Sequence, residues 1–218
     1  MPVWRGEEVT DIEGTKEVWK NASLEKLFTV QGLSLKQWFT WIELVTDIID
    51  DPNASVYDVG CGTGNMINVL PDTIEYYGND INEEFISVAK EVYGDRPNTT
   101  ILLEDLYDTF DKNLKFDYVF ATSLFGFFPE DESYSLLARF WDMCDKGMGI
   151  STLNKDLYLF HPDGKPRRIR NQLTSHDPRQ MEEFLKNLPG VGEVTMMTDI
   201  PKEKWSIRRG MVIHVRRK

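Results

Sequence analysis

Residues 54–64 read Ala-Ser-Val-Tyr-Asp-Val-Gly-Cys-Gly-Thr-Gly, and this stretch constrains the fold more than any other. A short apolar run reaches an acid, Asp58, and then breaks into glycines at every second position: Gly60, Gly62 and Gly64. Only glycine lets a backbone turn this sharply off a strand and still leave room for a ligand against the turn. Around it, strand and helix patterns alternate. Strands are expected over 55–60, 74–79, 99–103, 116–122, 147–153, 192–198 and 209–216. Helices are expected over 15–28, 33–50, 64–70, 82–93, 132–144 and 178–188. In 33–50, Trp38, Trp41, Ile42, Val45 and Ile48 belong to a broad apolar face at helical spacing, and Pro52 stops it. Strands separated by helices of this length imply right-handed crossovers and a mostly parallel, doubly wound α/β sheet of seven strands. No helix fits between the last two strands, so the final strand is expected to run antiparallel.

The chain has 218 residues, enough for one domain with a full core. No apolar run is long enough to span a membrane, and the N-terminal residues do not read as a signal peptide. Cys61 and Cys144 form neither a disulfide framework nor a zinc pattern, so a cytoplasmic setting is expected and no metal. The net charge of −11 is uneven. Residues 1–150 hold 11 Lys+Arg against 28 Asp+Glu, and residues 151–218 hold 14 against 8. The acidic whole argues against non-specific nucleic-acid binding, while the basic C-terminal third leaves an anionic small molecule open.

The glycine spacing separates two ligand classes. A dinucleotide turn needs G-x-G-x-x-G, and Asn65 stands where its third glycine belongs. The acid-x-Gly-x-Gly-x-Gly pattern closely resembles that of class I S-adenosylmethionine-dependent methyltransferases. That resemblance implies a Rossmann-like fold and S-adenosyl-L-methionine as cofactor. It runs strongly over 54–154 and by topology alone over 178–218. It divides the chain into an N-terminal helical cap or lid, 1–50, and a cofactor-binding methyltransferase domain, 51–218.

In open α/β sheets, ligands sit beyond the carboxyl ends of the strands. The resemblance therefore implies a role for each strand end. Asp58, Gly60, Cys61, Gly62, Gly64 and Asn65 would receive the methionine part of the cofactor. Asp80 and Ile81 end the second strand, and Asp80 lies 22 residues after Asp58, near the spacing of a ribose-binding acid. Taken alone, Asp80 also reads as a helix N-cap. Glu104, Asp105 and Leu106 end the third strand, where an acid would accept from the adenine amino group and a backbone amide would meet the ring. Asp105 alone also reads as an exposed loop acid. Ala121, at the end of the fourth strand, would line the sulfonium.

Methyl transfer needs an aligned acceptor and a dry site. Trp4, Trp19 and Phe28 are candidates to close the cofactor site, with Trp19 counted among the cofactor contacts. Trp38 and Trp41 are expected to be core. His161, after the fifth strand, is the candidate catalytic residue, with Tyr107 and Glu104 behind it. His214 reads as structural, and His176 as a loop or capping residue. The basic run 165–170, containing Arg167, Arg168 and Arg170, is either a solvated loop or a seat for an anionic acceptor. The stretch Ser123-Leu-Phe-Gly-Phe lacks the Asn/Asp-Pro-Pro-aromatic motif of DNA amino-methyltransferases, and no Pro-Cys pair exists for cytosine C5 chemistry. The expected function is methyl transfer to O or N of a small molecule. An RNA or protein methyltransferase and a non-catalytic cofactor-binding regulator stand as alternatives.

Overall fold

The computed structural model describes residues 12–23, 35–156, 173–198 and 210–218. Seven strands form one sheet in the order β3-β2-β1-β4-β5-β7-β6. They are β1 Ser55–Val59, β2 Glu75–Asp80, β3 Thr99–Leu103, β4 Phe116–Thr122, β5 Cys144–Leu153, β6 Val191–Met197 and β7 Gly210–Arg217. The pairs β1–β2, β2–β3, β1–β4 and β4–β5 are parallel, and β7 runs antiparallel between β5 and β6. The order reverses between β1 and β4, so the carboxyl ends of β1 to β4 flank one crevice.

The described helices are α1 Ile12–Lys20, α2 Leu35–Thr46, α3 Glu83–Tyr93, α4 Leu106–Phe110, α5 Glu130–Met143 and α6 Pro178–Lys186. They cover both faces of the sheet. On one face, Trp41, Ile42 and Val45 of α2, Ile48 in the turn after it, and Ile86 and Ala89 of α3 pack on Val56, Tyr118 and Phe120. On the other, Phe140 and Trp141 of α5 and Met181 and Leu185 of α6 pack on Tyr57, Val119 and Ile150. The expected core role of Trp38 and Trp41 holds. Trp41 is buried and donates its indole N–H to Ser151 Oγ at 3.0 Å, and Trp38 packs partly buried against the same cluster.

Several element bounds differ from the sequence pattern for local reasons. The expected helix 15–28 is described from Ile12 and ends at Lys20, where Asn21 Nδ2 donates back to Glu17 O at 3.0 Å. The helix 33–50 stops at Thr46, four residues before the acids that precede Pro52, with the Thr46 hydroxyl donating to Ile42 O at 2.9 Å. The helix 64–70 is a 3-10 turn, Asn65–Val69, entered from a left-handed Gly64 and left at an extended Leu70. The helix 132–144 starts earlier, at Glu130, with three acids in its first turn favoured by the helix dipole. It runs directly into β5, which starts at Cys144 rather than at 147. The short helix α4 and a 3-10 turn at Phe125–Phe127 had no sequence expectation.

Candidate functional site

The turn after β1 is built by left-handed backbone. Gly60, Gly62 and Gly64 have φ of 65°, 56° and 74°. A side chain at Gly60 would also press a Cβ to 3.1 Å from Leu124 Cδ1. Cys61 N–H donates to Asn79 O at 2.8 Å, which ties the turn to β2. Asp80 then sits beside it. Its Oδ2 accepts from Gly62 N–H and its Oδ1 from Asn82 N–H, each at 2.9 Å. Burial raises the Asp80 pKa, and the backbone N–H groups of Asn82, Gly62 and Ile81 pull it back. A carboxylate has about four lone-pair sites, so these bonds leave Asp80 acceptor capacity for a ligand. Asp80 is not the N-cap of the helix that follows. That role belongs to Asn82, whose side chain accepts from Phe85 N–H.

Asp58 lies below the turn rather than in the crevice. It is 3% exposed and accepts a hydrogen bond from the Tyr76 hydroxyl at 2.8 Å. Burial pushes its pKa up to about 7, with Tyr76 opposing the rise and the Asp80 charge adding to it. The same burial and the two carboxylates raise the buried Cys61 thiol, which keeps it an unreactive thiol.

The crevice holds a cavity of about 760 Å3, counting the space open to solvent. Eight of the residues expected at the cofactor line it: Trp19, Gly60, Gly62, Asp80, Ile81, Glu104, Asp105 and Leu106. Asp58, Cys61, Gly64, Asn65 and Ala121 are not in its wall. Asn65 instead donates to Thr63 Oγ1 at 3.0 Å, and Ala121 is buried in β4 one residue before the lining Thr122. Asp105 is not a free loop acid. It caps α4 by accepting from Tyr107 N–H at 3.1 Å and pairs with Lys16 of α1 at 2.7 Å. Burial works against the Lys16 ammonium, but Asp105 outweighs it and the pKa rises. Glu104 is neutralised by the Lys112 ammonium and accepts from the Thr109 hydroxyl at 2.9 Å.

The far end of the cavity is apolar, with Leu124, Phe127 and Phe128, and Trp19 meets Phe127 edge-on at 4.5 Å. Two hydroxyls stand at the β4 end of this wall, Thr122 and Ser123. Among the described residues, Thr122 Oγ1 is buried without a hydrogen-bond partner. Ser123 takes a left-handed φ of 59°, an uncommon conformation for serine, and is held there by its N–H donating to Ser151 Oγ at 2.8 Å. Tyr107 also lines the cavity but donates its hydroxyl to Glu132 at 2.6 Å.

His161 and the run 165–170 lie outside the described residues, as do Trp4 and Phe28. His176 is fully buried, with Nδ1 at 3.0 Å from Thr152 Oγ1, and burial lowers its pKa to about 4. The residue before the α6 cap is therefore core, and Asp177 does the capping. His214 is structural as expected, with Nε2 at 2.9 Å from Leu44 O. Lys16, Asn82 and the apolar character of the Leu124–Phe128 wall had no sequence expectation, although the end of the fourth strand was expected to face the sulfonium and the acceptor. The run of aromatics after β4 was the available signal for the last of these. Among the described residues, no group of side chains could hold a metal ion, and no helix is long and apolar enough to cross a membrane.

Residues 56–147 match the family model of the methyltransferase domain. In sequence, the chain is similar to malonyl-[acyl-carrier protein] O-methyltransferase 1 of Ilyobacter polytropus. The two are 26% identical over 150 residues, 65% of this chain and 51% of that protein. The chain thus spans about half the length of that curated relative. In structure, it is similar to the magnesium protoporphyrin IX methyltransferase of Synechocystis bound to S-adenosylhomocysteine. The TM-score is 0.65 at 15% identity, covering 93% of this chain and 97% of the other. It is also similar to the plantazolicin methyltransferase BpumL, in complex with a triazolic desmethyl-plantazolicin analogue and S-adenosylhomocysteine. Here the TM-score is 0.65 at 13% identity, covering 89% of each chain. The likeness to class I methyltransferases read from the glycine turn is borne out, and so is the doubly wound sheet with one antiparallel strand.

Proposed function

We propose that this chain, which carries a methyltransferase domain over 56–147, binds S-adenosylmethionine in the β1–β4 crevice and transfers its methyl group to O or N of a small-molecule acceptor. One observation carries the reading. Four successive strand ends meet at one cavity, and each brings chemistry suited to a different part of that cofactor. The glycine turn offers close backbone approach. The remaining acceptor capacity of Asp80 suits ribose hydroxyls. Asp105 and Leu106 sit where an adenine amino group and ring edge would be met.

The bound cofactor supplies a methyl group on a positively charged sulfur. The chain's own residues do the rest. Phe127, Phe128 and Leu124 keep the far end apolar, which favours a step that disperses charge. Trp19 shields that end from above. Among the described residues, the Thr122 and Ser123 hydroxyls are placed to orient an acceptor, and Thr122 Oγ1 has no hydrogen-bond partner there. Asp80, Glu104 and Asp105 face the cavity with Lys16 as the opposing cation, and Lys16 is tied to Asp105. A relative named malonyl-[acyl-carrier protein] O-methyltransferase and a neighbour named for magnesium protoporphyrin IX support methyl transfer as the reaction, the first of them at oxygen by its name.

Incubation with methyl-labelled S-adenosylmethionine and separate pools of metabolites, RNA and protein tests the reading. Label in the metabolite pool alone is expected. Label confined to RNA or protein overturns the acceptor class, and tight cofactor binding with no labelled pool overturns the catalytic reading.

A further inference from the structure

Two helix ends meet at one side chain, Asn82. Helix α1 finishes at Lys20, so its last carbonyls have no partner within the helix. Helix α3 starts at Glu83, so its first N–H groups are in the same position at the opposite pole. Asn82 is 2% exposed and serves both. Its Oδ1 accepts from Phe85 N–H at 2.9 Å, the N-cap bond of α3. Its Nδ2 donates to Trp19 O and Ala22 O, each at 2.8 Å, with Lys20 O at 3.4 Å. The negative end of the α1 dipole thereby faces the positive end of α3. Asn82 also touches the candidate ribose acid, because its own N–H donates to Asp80 Oδ1 at 2.9 Å.

What α1 does above the cavity follows from what this joint holds in place. Lys16 reaches Asp105 at 2.7 Å and lies 4.5 Å from the centre of the Tyr107 ring. Trp19 covers the apolar end through Phe127. Both belong to the cavity wall, and both ride on a helix of nine residues, too short to be stable alone.

We propose that Asn82 is the positioning residue that latches α1 over the cavity and so sets how long a ligand stays against Asp80. The second half of this rests on the reading of the cavity as the cofactor site. An asparagine is needed because one side chain must accept at the α3 start and donate at the α1 end. Serine and aspartate cap a helix equally well but cannot make the donation, serine for want of reach and aspartate for want of an N–H.

Asn82→Ser and Asn82→Asp therefore separate the latch from the cap. Asn82→Ser is expected to keep the thermal midpoint close to that of the unchanged protein, whereas Asn82→Asp, which sets a buried carboxylate against the carbonyls of Trp19 and Ala22 beside Asp80, is expected to lower it, so Asn82→Ser carries the comparison. In the ligand-free protein, tryptic cleavage after Lys16 and Lys20, followed by mass spectrometry, is expected to speed up about tenfold, the loss of two neutral hydrogen bonds. Dissociation of S-adenosylhomocysteine, followed by stopped-flow tryptophan fluorescence, is expected to speed up by a similar factor. Unchanged cleavage overturns the latch. Faster cleavage with unchanged dissociation leaves α1 latched by Asn82 but overturns its control of residence. If the unchanged protein binds no S-adenosylhomocysteine, the cofactor reading and residence control fall together, and the cleavage rates alone decide whether Asn82 holds α1.

Discussion

At the scale of single residues, two acids 22 positions apart in sequence do different jobs because of where the backbone leaves them. Asp80 takes one N–H on each oxygen and keeps capacity for a ligand. Asp58 is sealed under the turn with Tyr76 and shifts toward neutrality, its pKa rising from 3.8 to about 7. The folded protein thus holds a proton on Asp58 that the unfolded chain has lost. Between about pH 4 and 7, this group makes stability fall as pH rises. His176 has the opposite sign. Its pKa falls from 6.5 to about 4, so its contribution to stability is lost on acidification through that window. The two slopes oppose each other in the unchanged protein. Asp58→Asn removes one of them, so its stability at pH 5 relative to pH 8, from urea midpoints, should drop below the unchanged protein's by about 2–4 kcal/mol. An unchanged difference would mean that Asp58 is ionised in the fold. At Gly62 the issue is backbone. With φ at 56°, Gly62→Ala should cost about 1–2 kcal/mol of stability and weaken cofactor binding as the N–H facing Asp80 moves. Calorimetry and thermal melts on one sample check both.

At the scale of elements, the cavity is roofed by one short helix and floored by strand ends. Trp19→Ala removes the edge contact with Phe127 and opens the apolar end. Aromatic pairs contribute about 0.5–1.5 kcal/mol beyond their area, so stability should fall by about that much, and cofactor affinity should fall as well if the ring covers the bound ligand. Equal affinity would place Trp19 outside the cofactor's reach. The strands were legible in the sequence because each is a short apolar run between turn residues, and β1, β4 and β5 are buried almost throughout. The acids at their ends were legible for the same reason, since strand ends locate them. The short elements were not. Helix α4 has five residues and depends on its Asp105 cap rather than on any periodicity. The turn at Asn65–Val69 has apolar residues at helical spacing but no room to complete an α-helix before Pro71. The partners of α1 were hidden by distance. Lys16 meets Asp105, and Asn82 meets Trp19 O, through tertiary packing that no local pattern records.

At the scale of the whole molecule, the sheet order decides where chemistry occurs, and the layers on its two faces hold that order. Trp141 shows how tightly. It is fully buried in α5, donates its indole N–H to Pro189 O at 2.8 Å, and carries the Arg217 guanidinium of β7 at 4.4 Å from its ring centre. Trp141→Ala should cost about 3–5 kcal/mol of stability, read from denaturant midpoints, without altering the cavity directly. The charge of the molecule follows the same division. The acidic first 150 residues build the described cavity. The central claim is that this crevice holds S-adenosylmethionine through Asp80. Isothermal calorimetry with S-adenosylhomocysteine, on the unchanged protein and on Asp80→Ala, tests it most directly. Saturable one-to-one binding is predicted, weakened about thirtyfold or more by the substitution, as expected for losing charge-assisted hydrogen bonds, with the fold retained by circular dichroism. No binding by the unchanged protein, or equal affinity in the folded variant, would contradict it.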